Sequence, residues 1–145
     1  MATSAWNKFN DFSEQLVRGV HDFDANTFKV VLASSAPSAT NTQLSDITSQ
    51  LSTGGGYTSG GETTTISISE TSGTTTVSGT EIVWTGTGSG FGPFQYAVLY
   101  NDSSTSPADA LIAWFDYGSS ISVGAGETFT LKFNNASPGT MFTLV

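Results

Sequence analysis

The sequence predicts an all-β fold, an antiparallel β-sandwich of jelly-roll-like type carrying an N-terminal amphipathic helix. Three observations lead there. From Gly61 to the C-terminus the apolar residues recur every second position, clusters of Gly, Ser, Asn and Asp break the chain into about eight short runs, and Ala5 to Val20 follow a three- and four-residue period. An immunoglobulin-like arrangement of the same strands is the alternative, since connectivity is not written in the periodicity.

Between Ala5 and Val20 the residues Trp6, Phe9, Phe12, Leu16, Val17 and Val20 fall on one helical stripe, and Lys8, Asp11, Glu14, Gln15 and Arg18 fall elsewhere. Thr3 or Ser4 can cap the start, and Gly19 offers the left-handed conformation that stops a helix. Residues 1–22 are therefore read as a helical arm and residues 23–145 as the β-sandwich domain.

His21 to Asn26 forms a polar link. The β-branched run Phe28–Ala33 is a strand ended by Pro37. Leu44, Ile47 and Leu51 could line a second, short helix diluted by Thr and Ser. Gly54–Gly61 reads as a flexible loop. Strands follow at Ile66–Ser69, Thr74–Val77, Glu81–Thr85, Phe94–Tyr100, Leu111–Tyr117, Thr128–Phe133 and Met141–Val145, with Asn101-Asp102 and Tyr117-Gly118 as turn sites. Tyr96–Tyr100 and Leu111–Phe115 are apolar on both faces, so they belong mid-sheet with a cover on each side, one of them the core and the other the helix or a second subunit.

Composition narrows the function. The 145 residues hold four Lys and Arg against twelve Asp and Glu, a formal charge of −8, and the cations Lys8, Arg18, Lys29 and Lys132 are scattered. Phosphate binding needs a cationic stripe, so nucleic acid is disfavoured as a partner. Charged residues are 11% of the chain, whereas about three residues in ten are Ser or Thr, which makes a polar surface that another protein can approach without stripping many ions of water. There is no Cys for a disulfide or thiolate metal site. No run approaches the roughly eighteen apolar residues of a membrane span, and the first residues lack an apolar signal core, so neither a membrane nor export by a signal of its own is expected.

Catalytic patterns are thin. The single His21 has no nucleophile elbow to serve, because Gly86-Thr87-Gly88-Ser89-Gly90 lies among strands with the wrong spacing. His21, Asp22, Asp24 and Asn26 could hold a divalent cation, but a solvated turn is much the more frequent use of such a run. Acids such as Glu81 and Asp116 show no spacing that pairs them for glycoside hydrolysis. Neither glycine-rich loop is followed by the Lys-Ser/Thr or the helix of a phosphate cradle. The expectation is a non-enzyme without metal or cofactor. Its candidate interaction residues are aromatic: Trp6, Phe9 and Phe12 on the helix, Tyr57 and Phe91 in glycine-rich loops, and Phe94.

Several stretches carry a resemblance: Asn7-Lys8-Phe9 with Val20-His21, Phe28-Lys29-Val30-Val31-Leu32 before Ser35-Ala36-Pro37, and Gly56-Tyr57-Thr58-Ser59-Gly60-Gly61. Gly92-Pro93-Phe94-Gln95-Tyr96-Ala97-Val98-Leu99-Tyr100-Asn101-Asp102, Leu111 to Gly118 and Gly126-Glu127-Thr128-Phe129 continue it. Together they resemble a family of small virion structural proteins of tailed bacteriophages. The resemblance implies a capsid decoration or cement protein, made in the host cytoplasm and sited on the capsid surface. Its implied partners are the major capsid protein and further copies of itself, with a trimer favoured. A tail, neck or fibre component recognising a host glycan through Tyr57, Trp84, Phe91 or Trp114 is the alternative.

Overall fold

The computed structural model describes residues 2–145. In chain order its elements are β1 (Asn7–Lys8), α1 (Phe12–Val17), β2 (Phe28–Ala33), a 3-10 turn (Leu44–Asp46), β3 (Glu62–Thr64), β4 (Ile66–Thr71), β5 (Thr74–Gly79), β6 (Ile82–Thr85), β7 (Phe91–Thr105), β8 (Ala108–Val123), β9 (Thr128–Leu131) and β10 (Gly139–Leu144). With 51% of residues in strands and 6% helical, the fold is mostly β, and every strand pair is antiparallel.

The long β7–β8 hairpin lies at the centre of a five-stranded sheet ordered β1-β8-β7-β2-β3. A three-stranded sheet, β10-β5-β4, and a two-stranded one, β6-β9, complete the fold. Their registers show that β5 and β6 run on one after the other against β9 and β10, so the small sheets form one ribbon interrupted by residues 132–138. At one flank the chain passes from the large sheet to the small one through Thr65, between β3 and β4. Thr80 fastens that corner: its N–H donates to the Thr65 carbonyl, its carbonyl accepts from the Thr64 hydroxyl, and its hydroxyl accepts from the Thr65 N–H.

Apolar alternation places the core. Phe28, Val30, Leu32, Leu99 and Ile112 of the large sheet share one buried cluster with Val77, Ile82, Trp84, Leu131 and Met141 of the small sheets. The opposite face of the large sheet carries Val31, Ala33, Val98, Tyr100 and Leu111, packed with Phe9, Leu44 and Ile47. The two-faced apolar strands β7 and β8 are thus covered on both sides, as their sequence implies. The second cover is the stretch that carries Leu44 and Ile47 together with Phe9, all from the chain itself.

Several sequence expectations need correcting. The helix is six residues long, Phe12–Val17, and does not begin at Ala5. Asn7 and Lys8 instead pair with Trp114 and Ala113, the Phe9 N–H donates to the Ile112 carbonyl at 3.1 Å, and Phe9 enters one cluster while Phe12 enters the other. A three-residue spacing fits a helical stripe and equally a chain that drops side chains to both sides of a sheet edge; the free edge of β8 decides the matter by offering backbone partners. Val17, expected on the apolar stripe, is 89% exposed. Gly19 does end the helix at φ 79°, but the start at Asp11 has no side-chain cap, and Ser4 accepts a hydrogen bond from the Asp116 N–H instead.

The second helix reduces to the turn at Leu44–Asp46. Asp46 closes it by accepting from the N–H groups of Thr42 and Gln43, and these bonds hold its carboxyl below the usual value. Asn101 is no turn residue: it lies fully buried inside β7, where its amide donates to the Val20 carbonyl and to Asn26 Oδ1. Tyr117-Gly118 lies within β8 at an irregularity of the β7–β8 register, with Gly118 at φ 91°.

Candidate functional site

Two regions stand apart from the core. The first is a groove of about 760 Å³ at the flank opposite the Thr65 corner, where the large sheet and the β9–β10 edge part and the arm residues Ala2–Ser4 border the opening. Its apolar lining comes from Trp6, Phe94, Phe115, Phe129 and Phe133, with Tyr96 and Tyr117 beside them. Trp6 meets Phe115 edge-on with centroids 5.8 Å apart, Phe94 meets Phe129 at 4.9 Å, and Tyr117, 38% exposed, lies against Phe129 at 6.0 Å.

Polar groups ring this opening. Gln95 donates to Asp116 Oδ1 at 3.0 Å, and that oxygen also accepts from the Gly118 N–H at 2.7 Å, so the bulge orients the carboxylate. Lys132 lines the groove and pairs with Glu81 at 3.4 Å. Asn134 and Asn135 follow, both exposed and both in the left-handed region at φ 44° and 55°, on the loop between β9 and β10. Asp116 is the one carboxylate on the lining. The aromatic rings and amides around it suit stacking and hydrogen bonding.

The second region is the β4–β5 hairpin and its extension onto β10. Register fixes its chemistry. On one face the cross-strand rows are Ser67–Ser78–Thr140 and Ser69–Thr76–Thr143, and the other face carries Ile68–Val77–Phe142. Between Ile66 and Gly79 the only ionisable side chain is Glu70, whose Oε1 is taken by the Gly73 N–H at 2.6 Å. A chain of charge −8 thus presents a three-stranded hydroxyl surface without charge, edged by β4 with Ile68 45% exposed.

The aromatic candidates fall out unevenly against these regions. Trp6 is half-buried and lines the groove, and Phe94 forms part of its floor with 1% of its surface exposed. Phe9, Phe12, Tyr57 and Phe91 are buried in the chain's own core and have no surface left for a partner. For Tyr57 and Phe91 this corrects the contact role expected of loop aromatics. Their glycine-rich loops are packed against one another: Thr87 N–H donates to the Gly55 carbonyl at 2.9 Å, and a Cβ on Gly55 would collide with the Gly90 carbonyl. Tyr57 enters the core between them, its ring 5.9 Å from Phe91 and its hydroxyl accepting from the Leu32 N–H at 3.1 Å. Burial raises the Tyr57 pKa. Of the aromatics considered for a glycan, Trp84 is likewise buried, and Trp114 packs on Phe9 at 4.7 Å. Sequence reading missed Tyr96, Phe115, Tyr117, Phe129 and Phe133 as groove residues; the Asn134-Asn135 pair was the one local signal of an unusual loop.

The run from His21 to Asn26 is a turn, with Asp22 Oδ1 accepting from the N–H groups of Asp24 and Ala25. His21 points inward between Phe12 and Phe23, its Nδ1 3.3 Å from the Asn101 amide, and burial lowers its pKa to about 4 against a smaller opposing pull from Asp11. Among the described residues no three His, Cys, Asp or Glu side chains gather as metal ligands, and no helix is long and apolar enough to cross a membrane. Tyr100, Asp102, Asp109 and Lys29 lie close enough to act on one another. Burial first, then Asp102, raises both Tyr100 and Asp109, but Lys29 and Asp102, paired at 2.9 Å, are 29% and 33% exposed, so the group opens to solvent.

Comparison of the chain with protein-family models, with curated proteins and with solved structures finds no match.

Proposed function

We propose that this chain is a structural module of a tailed-phage virion: a jelly-roll-like β-sandwich that decorates the capsid and holds major capsid subunits together through protein–protein contact. The observation that carries the reading is the uncharged hydroxyl face of β4, β5 and β10 on a molecule of net charge −8. Covering hydroxyls that can re-form hydrogen bonds across an interface costs far less than covering ions, so this face is the cheapest part of the surface to bury. The shared core of the large and small sheets supports a two-layer sandwich. The strand and turn motifs that resemble virion proteins support the setting.

The test is to heat particles with and without the protein, removed by stripping or by deletion of its gene. Bound protein that cements the head raises the temperature at which DNA is released, because a ligand of the assembled state stabilises it by mass action. Equal release temperatures at full occupancy contradict the reading.

A second reading, a tail or fibre component binding a host glycan, is favoured by the groove, whose lining includes exposed Tyr117 and the amides of Asn134 and Asn135. Electron microscopy of labelled virions separates head from tail. Binding to host polysaccharide that is lost in Tyr117→Ala would favour this second reading.

A further inference from the structure

The edges of the sheets are not treated alike. The large sheet ends on β1, two residues long and carrying Lys8, and on β3, three residues long and carrying Glu62. β10 is bulged between Thr140 and Phe142. These are ordinary devices against edge-to-edge association: short strands, charges and bulges. β4 is neither short nor bulged, and its one charge, Glu70, stands at the end next to the hairpin turn. It is six residues of unbroken register, Ile66 to Thr71, without Pro, Lys or bulge, and no strand pairs with its outer side among the described residues.

The hairpin turn fixes which backbone groups face outward. Ser72 and Gly73, at φ 51° and 84°, form a two-residue loop between Thr71 and Thr74, and the pair flanking such a loop exchanges hydrogen bonds. Alternation then turns Ser67 and Ser69 toward β5 as well, leaving the N–H and C=O groups of Ile66, Ile68 and Glu70 pointing out.

We propose that β4 pairs antiparallel with β4 of a second copy, about a twofold axis through Ile68. That register is self-complementary. Ile68 meets its own counterpart and extends the apolar row of Val77 and Phe142 across the joint; Ser67 faces Ser69, continuing the hydroxyl surface; Glu70 faces Ile66. The two Glu70 residues stand four residues apart along the strands, roughly 13 Å, beyond the ~8 Å over which physiological salt leaves charges unscreened. Elsewhere two copies of charge −8 repel, and this hairpin is where they approach with least opposition. The result is a continuous six-stranded sheet with a hydroxyl face spanning two molecules.

This deepens the adhesive reading by naming one partner, and its failure is separable: it concerns copies in solution, whereas the cementing role concerns particles. A trimer would require a further surface.

The isolated full chain is examined by sedimentation velocity over a concentration series. The wild type is expected to form a concentration-dependent dimer, and Ile68→Lys, which sets two ammonium groups opposite each other, to raise its Kd at least about tenfold, with the melting temperature unchanged at dilutions where both chains are monomeric. Because the chain has no Cys, single-cysteine variants report the geometry directly. Ile68→Cys is expected to oxidise to a covalent dimer many times faster than Val83→Cys, at a site of similar exposure. A chain monomeric to about 1 mM, a dimer indifferent to Ile68→Lys, or equal rates for the two thiols would overturn the pairing. Particles that gain no heat resistance from a wild type that dimerises would sink the cementing role and leave the pairing intact.

Discussion

The two large surfaces of this molecule invite a direct comparison. The five-stranded sheet is covered on both faces, by the small sheets on one side and by Phe9, Leu44 and Ile47 on the other. The three-stranded sheet covers one face with Val77 and Phe142 and leaves the other as rows of Ser and Thr. The first invests its apolar side chains in the fold of a single chain. The second holds to the fold by half its residues, and its other half is free to change partners without disturbing the core. Substitutions in the two regions should therefore separate cleanly into effects on stability and effects on association.

The comparison is sharpest at the largest side chains. Trp84→Ala, in the buried cluster, is expected to cost about 4 kcal/mol in urea denaturation, and a loss below about 1 kcal/mol would mean that the core is not packed as described. Gly55→Ala follows. It adds a Cβ against the Gly90 carbonyl at a position of φ 61°, and should cost about 3 kcal/mol although it is nominally conservative; a neutral result would show the two glycine loops to be independent.

His21 gives a pH signature of similar size. Its folded pKa lies near 4, below the unfolded 6.5, so in that window the unfolded chain binds the extra proton. The stabilisation is complete above pH 6.5 and is lost as pH falls towards 4, on the order of 3 kcal/mol in all. Followed by denaturation across that range, the wild type should lose this amount of stability relative to His21→Leu as pH falls, and parallel curves would contradict a buried neutral imidazole. Tyr57→Phe leaves the Leu32 N–H without its partner and should cost about 1 kcal/mol. On the hydroxyl face the effect should nearly vanish: Ser69→Ala is expected to change stability by less than about 0.5 kcal/mol. A larger loss there would erase the contrast between the surfaces.

Those expectations also mark what a sequence can reveal. Strands such as β4 and β9 were legible because inward and outward residues alternate, and Phe129 and Leu131 against Thr128 and Thr130 state the rule plainly, whereas β7 and β8 showed only their two-faced apolar stretches and run on through the turn sites expected at Asn101 and Gly118. The N-terminal segment was not, because spacing alone cannot tell a helix stripe from residues shared between two faces of a sheet edge. Asn101 reads as a turn residue by type, and only tertiary partners 75 and 81 positions away explain why it sits inside a strand. Glycine-rich loops look flexible whether the glycines serve motion or, as at Gly55 and Gly56, close approach of two backbones. The groove was invisible for a different reason: β7, β8, β9, β10 and the arm each contribute a few residues, and no local pattern records their meeting. The hydroxyl face was present in the composition as an excess of Ser and Thr, but its freedom from charge appears only once register sets the rows side by side.

Amide hydrogen exchange, compared between the free protein and the protein assembled on particles, tests the central claim most directly, because it reads the backbone of each region without altering a residue. Assembly should slow exchange across Ile66–Gly79, above all at Ile68, and leave the β7–β8 core unchanged. Protection confined to the groove, with the hairpin exchanging as fast on particles as in solution, would contradict the assignment of the hydroxyl hairpin as the surface through which this protein works.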